Sequence, residues 1–155
     1  MNELIYHFFD DDEFLRISNA IKNAELITSG EIKVSIKERR LFTERNLSLR
    51  ALAEKEFYNL NMHLTRDKTG VLLLFVLYDR QFYILADEGI ASKVDQSVWD
   101  SVSNEIQNNF SKGYFSEGII KGIEKISHIL QVYFPIKPDD VNELTNKVIL
   151  PVRKN

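Results

Sequence analysis

Residues 71–77, Val-Leu-Leu-Leu-Phe-Val-Leu, form an unbroken apolar run with no polar alternation. A strand with one wet face alternates apolar and polar side chains, whereas an unbroken run is covered on both faces. The run is strand length, far short of the ~20 residues that cross a bilayer. A chain built around it needs a layer on each side of the sheet, and helices are the usual covering. Asp67-Lys68-Thr69-Gly70 reads as a turn ahead of this strand, and Asp79-Arg80 as a tight turn behind it. Gln81 to Ala86 then forms another strand, and so short a connection permits only an antiparallel hairpin.

The preceding sequence supplies a third strand and its crossover. Asp10 to Asp12 mark a helix start, where acidic side chains cap free amides. Phe14, Ile17, Ile21, Ala24 and Ile27 follow at helical spacing. Ser29-Gly30 stops this helix, with Gly30 suited to a left-handed cap. Glu31 to Glu38 alternates, Ile32, Val34 and Ile36 opposing Lys33, Ser35 and Lys37, which predicts a half-exposed strand near a sheet edge. A second helix runs from Thr43 or Glu44 to about Asn61, buried through Leu49, Leu52, Ala53, Phe57 and Leu60. It joins the first two strands, which are therefore parallel with a right-handed crossover.

Beyond the hairpin, a third helix opens at Ser92 or Lys93, with Val94, Val98, Val102 and Ile106 inward, and breaks at Lys112-Gly113. A fourth runs from Ser116 to about Tyr133 and ends at Phe134-Pro135. The expected fold is a three-layer α/β/α sandwich with a small mixed sheet: two parallel strands and one antiparallel hairpin strand. Residues 1–135 form one domain. Residues 136–155 form a tail, with a short helix expected within Asp139 to Lys147.

Composition narrows the function classes. The 155 residues are 44% hydrophobic and 28% charged, as in ordinary globular domains. The net charge of −3 argues against general nucleic-acid binding, which needs a basic face. The lack of cysteine removes disulfides, thiolate zinc sites and cysteine nucleophiles. The start Met1-Asn2-Glu3, followed by Asp10 to Asp12, is unlike a signal peptide. A cytoplasmic monomer with no membrane span is expected.

The candidate site follows from topology. With two parallel strands and a third folded back, Glu31, Asp67, Asp87 and Glu88 reach the same rim of the sheet. Clustered carboxylates repel unless a cation lies between them, and a hard divalent metal is the usual solution. Calcium, taking six to eight oxygens and accepting backbone carbonyls, suits a rim built of loops; magnesium would keep more waters. Asp95, in the first turn of the third helix, is a weaker ligand candidate. The plainer alternative has Asp67 forming a turn, Asp87 or Glu88 capping a helix, Asp95 doing the same, and Glu31 solvated.

Lys37, Arg39, Arg40, Arg45, Arg50 and Arg80 give the opposite rim a basic character. A solubilising surface balanced by Glu38 and Glu44 is the favoured explanation, and a phosphate or acidic partner the other. His7, His63 and His128 lie on different elements, without the spacing of a zinc site or a nucleophile–base couple. Gly118 and Gly122 suggest close packing of the last helix.

Several segments resemble the TPM domain family. Thr28-Ser29-Gly30-Glu31-Ile32-Lys33-Val34 is similar to the family's "TSGEIRV" opening, and the segment from Asp67 to Leu74 to its "DNGVLLL" strand. Asp79-Arg80 matches its hairpin turn, and Asp87-Glu88-Gly89-Ile90 with Lys93-Val94 its "GDKGI…KV" segment. The resemblance spans roughly residues 10 to 134 and is to the stand-alone cytoplasmic type. It departs from the pattern at Ala86, Glu88 and Asp95, the last two adding negative charge near the rim. The resemblance implies an α/β/α sandwich with a divalent-cation site, calcium foremost, and, in some members, phosphatase activity. Two functions are therefore expected of Glu31, Asp67, Asp87, Glu88 and Asp95. One is a calcium-dependent binding or regulatory module. The alternative is a metal-dependent phosphatase acting on phosphomonoesters with Asp67 as base. Whether the chain is an enzyme stays open.

Overall fold

The computed structural model describes residues 3–136. The tail helix expected within 139–147 lies outside the described residues. Along the chain run α1 (Glu3–Phe8), α2 (Asp11–Glu25), β1 (Glu31–Lys37), α3 (Leu49–Asn59), β2 (Gly70–Val76), β3 (Gln81–Ala86), α4 (Glu88–Ala91), α5 (Gln96–Ser111) and α6 (Phe115–Tyr133). Single 3₁₀ turns at Phe42–Glu44 and Met62–Leu64 flank α3. The sheet order is β1-β2-β3, with β1 parallel and β3 antiparallel to β2. This is the expected mixed sheet in a three-layer sandwich.

The apolar run occupies the middle strand and is buried throughout. Alternate residues feed two cores. Val71, Leu73 and Phe75 join Ile32, Val34 and Ile36 of β1 against Ile17 and Ile21 of α2, Val102 and Ile106 of α5, and Ile119, Ile123 and Ile126 of α6. Leu72, Leu74 and Val76 face Leu52, Ala53 and Phe57 of α3. Each helix presents one apolar stripe to the sheet, which is why the covering layers form.

β1 departs from the half-exposed strand that its alternation predicts. Six of its seven residues are buried, and Lys33 is only 5% exposed. Its register with β2 puts Glu31, Lys33 and Ser35 on the same face as Leu72 and Leu74. That polar face is covered by neighbouring segments: Ser35 Oγ donates to Glu56 Oε2 of α3 at 2.7 Å. Glu44, buried in the loop after β1, lies 3.9 Å from Lys37 Nζ.

Other boundaries shift for local reasons. The third helix expected from Ser92 or Lys93 starts only at Gln96, after its N-cap residue Asp95, and a short helix the sequence reading did not contain, α4, precedes it at Glu88–Ala91. The second helix starts at Leu49 rather than Thr43 or Glu44, because Ser48 caps it by accepting from the Ala51 amide at 3.0 Å. α1 has no counterpart in the sequence reading; it is too short to show a period, yet it buries Ile5 and is followed by buried Phe9. Gly30 is not a left-handed cap, since α2 ends at Leu26 in right-handed conformation. Space at Gly30 is tight instead: an added Cβ would lie 3.0 Å from Leu130 Cδ1, and that side chain would have to give way. Gly113 does take the left-handed geometry (φ 82°) that stops α5.

Candidate functional site

The hairpin closes as the turn chemistry requires and carries the end of β3 back to the start of β2. Glu31 pairs in register with Gly70, Val71 pairs with Ala86, and the Asp87 amide donates to Gly70 O at 2.9 Å. The loops bearing Glu31, Asp67 and Asp87 therefore meet at one rim. They touch most tightly at Gly89. A Cβ there would stand 2.4 Å from each of the carbonyl oxygens of Asp67 and Lys68. Only glycine lets the first turn of α4 seat against those carbonyls. Lys68 itself lies at φ 56°, so the turn is tight enough to force a non-glycine residue into left-handed conformation.

The five predicted ligands take different places on this rim. Asp87 caps α4: its Oδ1 accepts from the Glu88 amide at 2.7 Å, while Oδ2 is buried with no hydrogen-bond partner. Glu88 is exposed in the first turn of α4. Asp67 is exposed, with Arg66 Nε 3.5 Å from its carboxylate. Glu31 is buried at 5% exposure, and its charge acts on Lys33. Burial pushes the Lys33 ammonium down from its ordinary value, against the opposing pull of Glu31. Asp95 is the N-cap residue of α5, is exposed, and makes no side-chain capping bond. The capping alternative accordingly describes one oxygen of Asp87 and the position of Asp95, whereas Glu31 is not solvated.

Among the described residues, no three His, Asp or Glu side chains form a group able to hold a metal ion. The oxygen donors are instead mixed. Asp87 offers one unpartnered carboxylate oxygen, and the Asp67 and Lys68 carbonyls crowd the adjoining turn. The segment leading into that turn holds two further buried polar atoms without partners, Thr65 Oγ1 and His63 Nδ1. Buried polar atoms are normally hydrogen-bonded, so orphans concentrated in the segments that meet at one rim single it out. Sequence reasoning missed the carbonyls and Thr65, because backbone orientation and burial leave no residue pattern.

The opposite rim is largely self-neutralised. Arg40 pairs with Asp79 at 3.1 Å and donates to the carbonyls of Glu44 and Leu47. Glu44 receives Lys55 Nζ at 2.9 Å and the Leu41 amide at 2.9 Å. Burial alone would raise the Glu44 carboxyl, but these bonds and nearby Lys37 hold it below the ordinary carboxylate range. Arg45 stacks over Phe42 and Arg39 over Tyr78. This is the balanced surface favoured from the sequence.

Residues 6–129 match the TPM domain family. The chain belongs to the TPM domain family. Among solved structures, this TPM domain is similar to the BA42 protein of the psychrophilic bacterium Bizionia argentinensis. The two are 36% identical, with a TM-score of 0.84 over 93% of this chain and 96% of that one. It shares its fold with the N-terminal domain of a P. gingivalis protein at 14% identity, with a TM-score of 0.63 over 82% of this chain and 79% of that one. No curated protein matches the chain. No described helix is long and apolar enough to cross a membrane.

Proposed function

We propose that this TPM domain is a binding module whose acidic rim takes a divalent cation, calcium by its donor chemistry, and presents the ordered loops to a partner. The observation that carries the reading is Asp87 Oδ2, buried and unpartnered where the Asp67 and Asp87 loops meet. A buried carboxylate oxygen is costly unless it is hydrogen-bonded, protonated or bound to a cation. Asp87 would anchor the ion. Asp67 and Glu88, exposed on the same two loops, would complete it with backbone carbonyls and water, a mixed oxygen set that calcium accepts. Glu31, buried beside Lys33, contributes negative potential, and Asp95 is the most peripheral of the five.

Ligand binding to the folded state alone raises stability by mass action. At a hundredfold excess over Kd the gain is ~2.7 kcal/mol, a rise in Tm of roughly 5–10 °C for a domain of this size. The test is thermal unfolding in calcium, in magnesium and in chelator. Asp87→Asn keeps a capping oxygen but removes the charge, and should abolish the calcium shift with little change in chelator. A wild-type Tm that is identical in millimolar calcium and in chelator refutes the proposal.

Phosphomonoester hydrolysis remains the alternative, and the rim gives it less support. Its nearby cations are engaged: Lys68 Nζ donates to the His63 carbonyl, Lys93 Nζ lies 5.0 Å from the Phe134 ring centroid, and Arg66 Nε lies 3.5 Å from the Asp67 carboxylate. Metal-dependent turnover of a generic phosphomonoester that vanishes in Asp87→Asn and Glu31→Gln would favour hydrolysis over binding alone.

A further inference from the structure

The rim opposite the acidic loops contains an apolar cavity of about 290 Å³ beneath the β2–β3 hairpin. Four elements and their flanks converge on it: Phe8 of α1, Phe75 of β2, Phe110 of α5 and Phe115 of α6. Their rings form a connected wall, with centroids 4.6 Å apart for Phe8–Phe115, 5.3 Å for Phe110–Phe115 and 5.6 Å for Phe75–Phe110. Phe8, Phe110 and Phe115 are only half-buried, so part of each ring is left for something to cover.

Arg80 joins this lining. On the same rim Arg40 pairs with Asp79, and Arg45 and Arg39 stack on Phe42 and Tyr78, rings that do not line the cavity. Among the described residues no carboxylate pairs with Arg80, and the Arg80 guanidinium lies 5.3 Å from the centroid of the Phe8 ring. Its backbone is left-handed, φ 52°, a conformation usually given to glycine or asparagine in turns. The hairpin thus holds an arginine, at some backbone cost, beside an aromatic cavity. Gln81 and Gln107 add amide groups to the lining. An apolar cavity with a few polar groups on one side is the general form of a small-molecule site.

We propose that this cavity binds a small amphipathic carboxylate, an apolar body with one acidic head, with the body against the phenylalanine rings and the head on Arg80. Charge complementarity selects the head: a guanidinium that lies over a ring but pairs with no carboxylate keeps forked donors that match one. Volume bounds the body: a cavity of ~150 Å³ takes benzene. A site of twice that size accepts a ligand of roughly ten to twelve non-hydrogen atoms, such as octanoate or phenylpropionate.

The experiment is an amide NMR titration of the full chain with sodium octanoate below its micellar range, with 1-octanol as the uncharged comparator. Saturable shifts confined to the neighbourhoods of Phe8, Arg80, Gln107 and Phe115 are expected, with octanol about tenfold weaker. Arg80→Asn preserves the left-handed turn and removes the charge; it should lose about tenfold in octanoate affinity and nothing in octanol affinity. Arg80→Lys should recover most of the loss. Absence of saturable binding, shifts centred elsewhere, or equal octanoate affinity in Arg80→Asn would overturn the proposal. Shifts at the same residues when ligand-free protein is merely concentrated would assign the cavity to a second copy, and overturn it as well. The acidic rim is unaltered in all three proteins, so the calcium result stands or fails separately.

Discussion

Gly89→Ala isolates the contact that joins the two acidic loops. The added methyl would meet two backbone oxygens at 2.4 Å and the Lys68 carbonyl carbon at 2.9 Å. Ordinary C···O approach is ~3.3–3.6 Å, so each oxygen contact must lengthen by about 1 Å. Neither partner is a side-chain tip that can rotate aside. Both belong to the turn that starts β2, whose Thr69 carbonyl accepts from the Glu31 amide and whose Gly70 carbonyl accepts from the Asp87 amide. Relief must therefore strain that turn or unseat α4. Overpacking of this kind costs ~1–3 kcal/mol, and the rigidity of both partners places Gly89→Ala near ~3 kcal/mol, a fall in Tm of roughly 6–12 °C. Urea unfolding followed by circular dichroism measures it, with an unchanged m-value expected. Gly122→Ala is the control, since its Cβ would meet only Ile106 side-chain atoms, the nearest at 2.7 Å. The methyl end of Ile106 can move, so that variant should lose less. A Gly89→Ala protein within ~0.5 kcal/mol of wild type, or less affected than Gly122→Ala, would refute the view that the loops are locked together there.

Three further outcomes follow from the geometry. Glu44→Gln keeps an acceptor for the Leu41 amide but loses its charge pairing with Lys55 and Lys37, which should remove about 1–2 kcal/mol at pH 7 by urea unfolding. Because the Glu44 carboxyl is held below its ordinary value in the fold, its contribution is fully present above that ordinary value and fades as pH falls through the lowered one; the wild-type and Glu44→Gln stabilities should converge in acid. Asp10→Ala removes the side-chain oxygen that accepts from the Glu13 amide at 2.8 Å, leaving the Asp10 amide still donating to Glu13 Oε1, and should cost about 1 kcal/mol, most of it recovered in Asp10→Ser. Thr28→Val removes the hydroxyl that donates to Phe134 O at 2.5 Å and accepts from the Gly30 amide at 3.0 Å, and should cost about 1–3 kcal/mol by the same unfolding assay.

The architecture was legible where a pattern has only one physical solution. The apolar run from Val71 to Leu77 had to be central, and the short turn at Asp79-Arg80 had to fold β3 back; together they bring Glu31, Asp67 and Asp87 to one rim. β1 misled because polar alternation normally means a wet face, while here Lys33 and Ser35 are buried, Ser35 bonded to half-buried Glu56 and Lys33 within the field of buried Glu31. No local signal distinguishes the two cases. The later start of α5 was hidden because Ser92 to Asp95 carries no proline or glycine, and the four residues of α4 are too few to show a period. The site was legible only as a list of carboxylates. That Asp87 keeps one buried, unpartnered oxygen, that Glu31 is buried where its charge acts on Lys33, and that two carbonyls pack on Gly89 all depend on backbone placement.

The hairpin also implies an order of events in time. β2 and β3 can zip together across a tight turn, a local search that is quick. Adding β1 means closing the long segment that contains α3, and fastening Thr28 to Phe134 spans a separation of 106 positions. Contacts so remote carry the larger loop-closure penalty and form late. The Asp67 and Asp87 ends of the rim, which flank the hairpin, would then be neighbours as soon as β2 and β3 pair, and Glu31 would join them only when β1 docks.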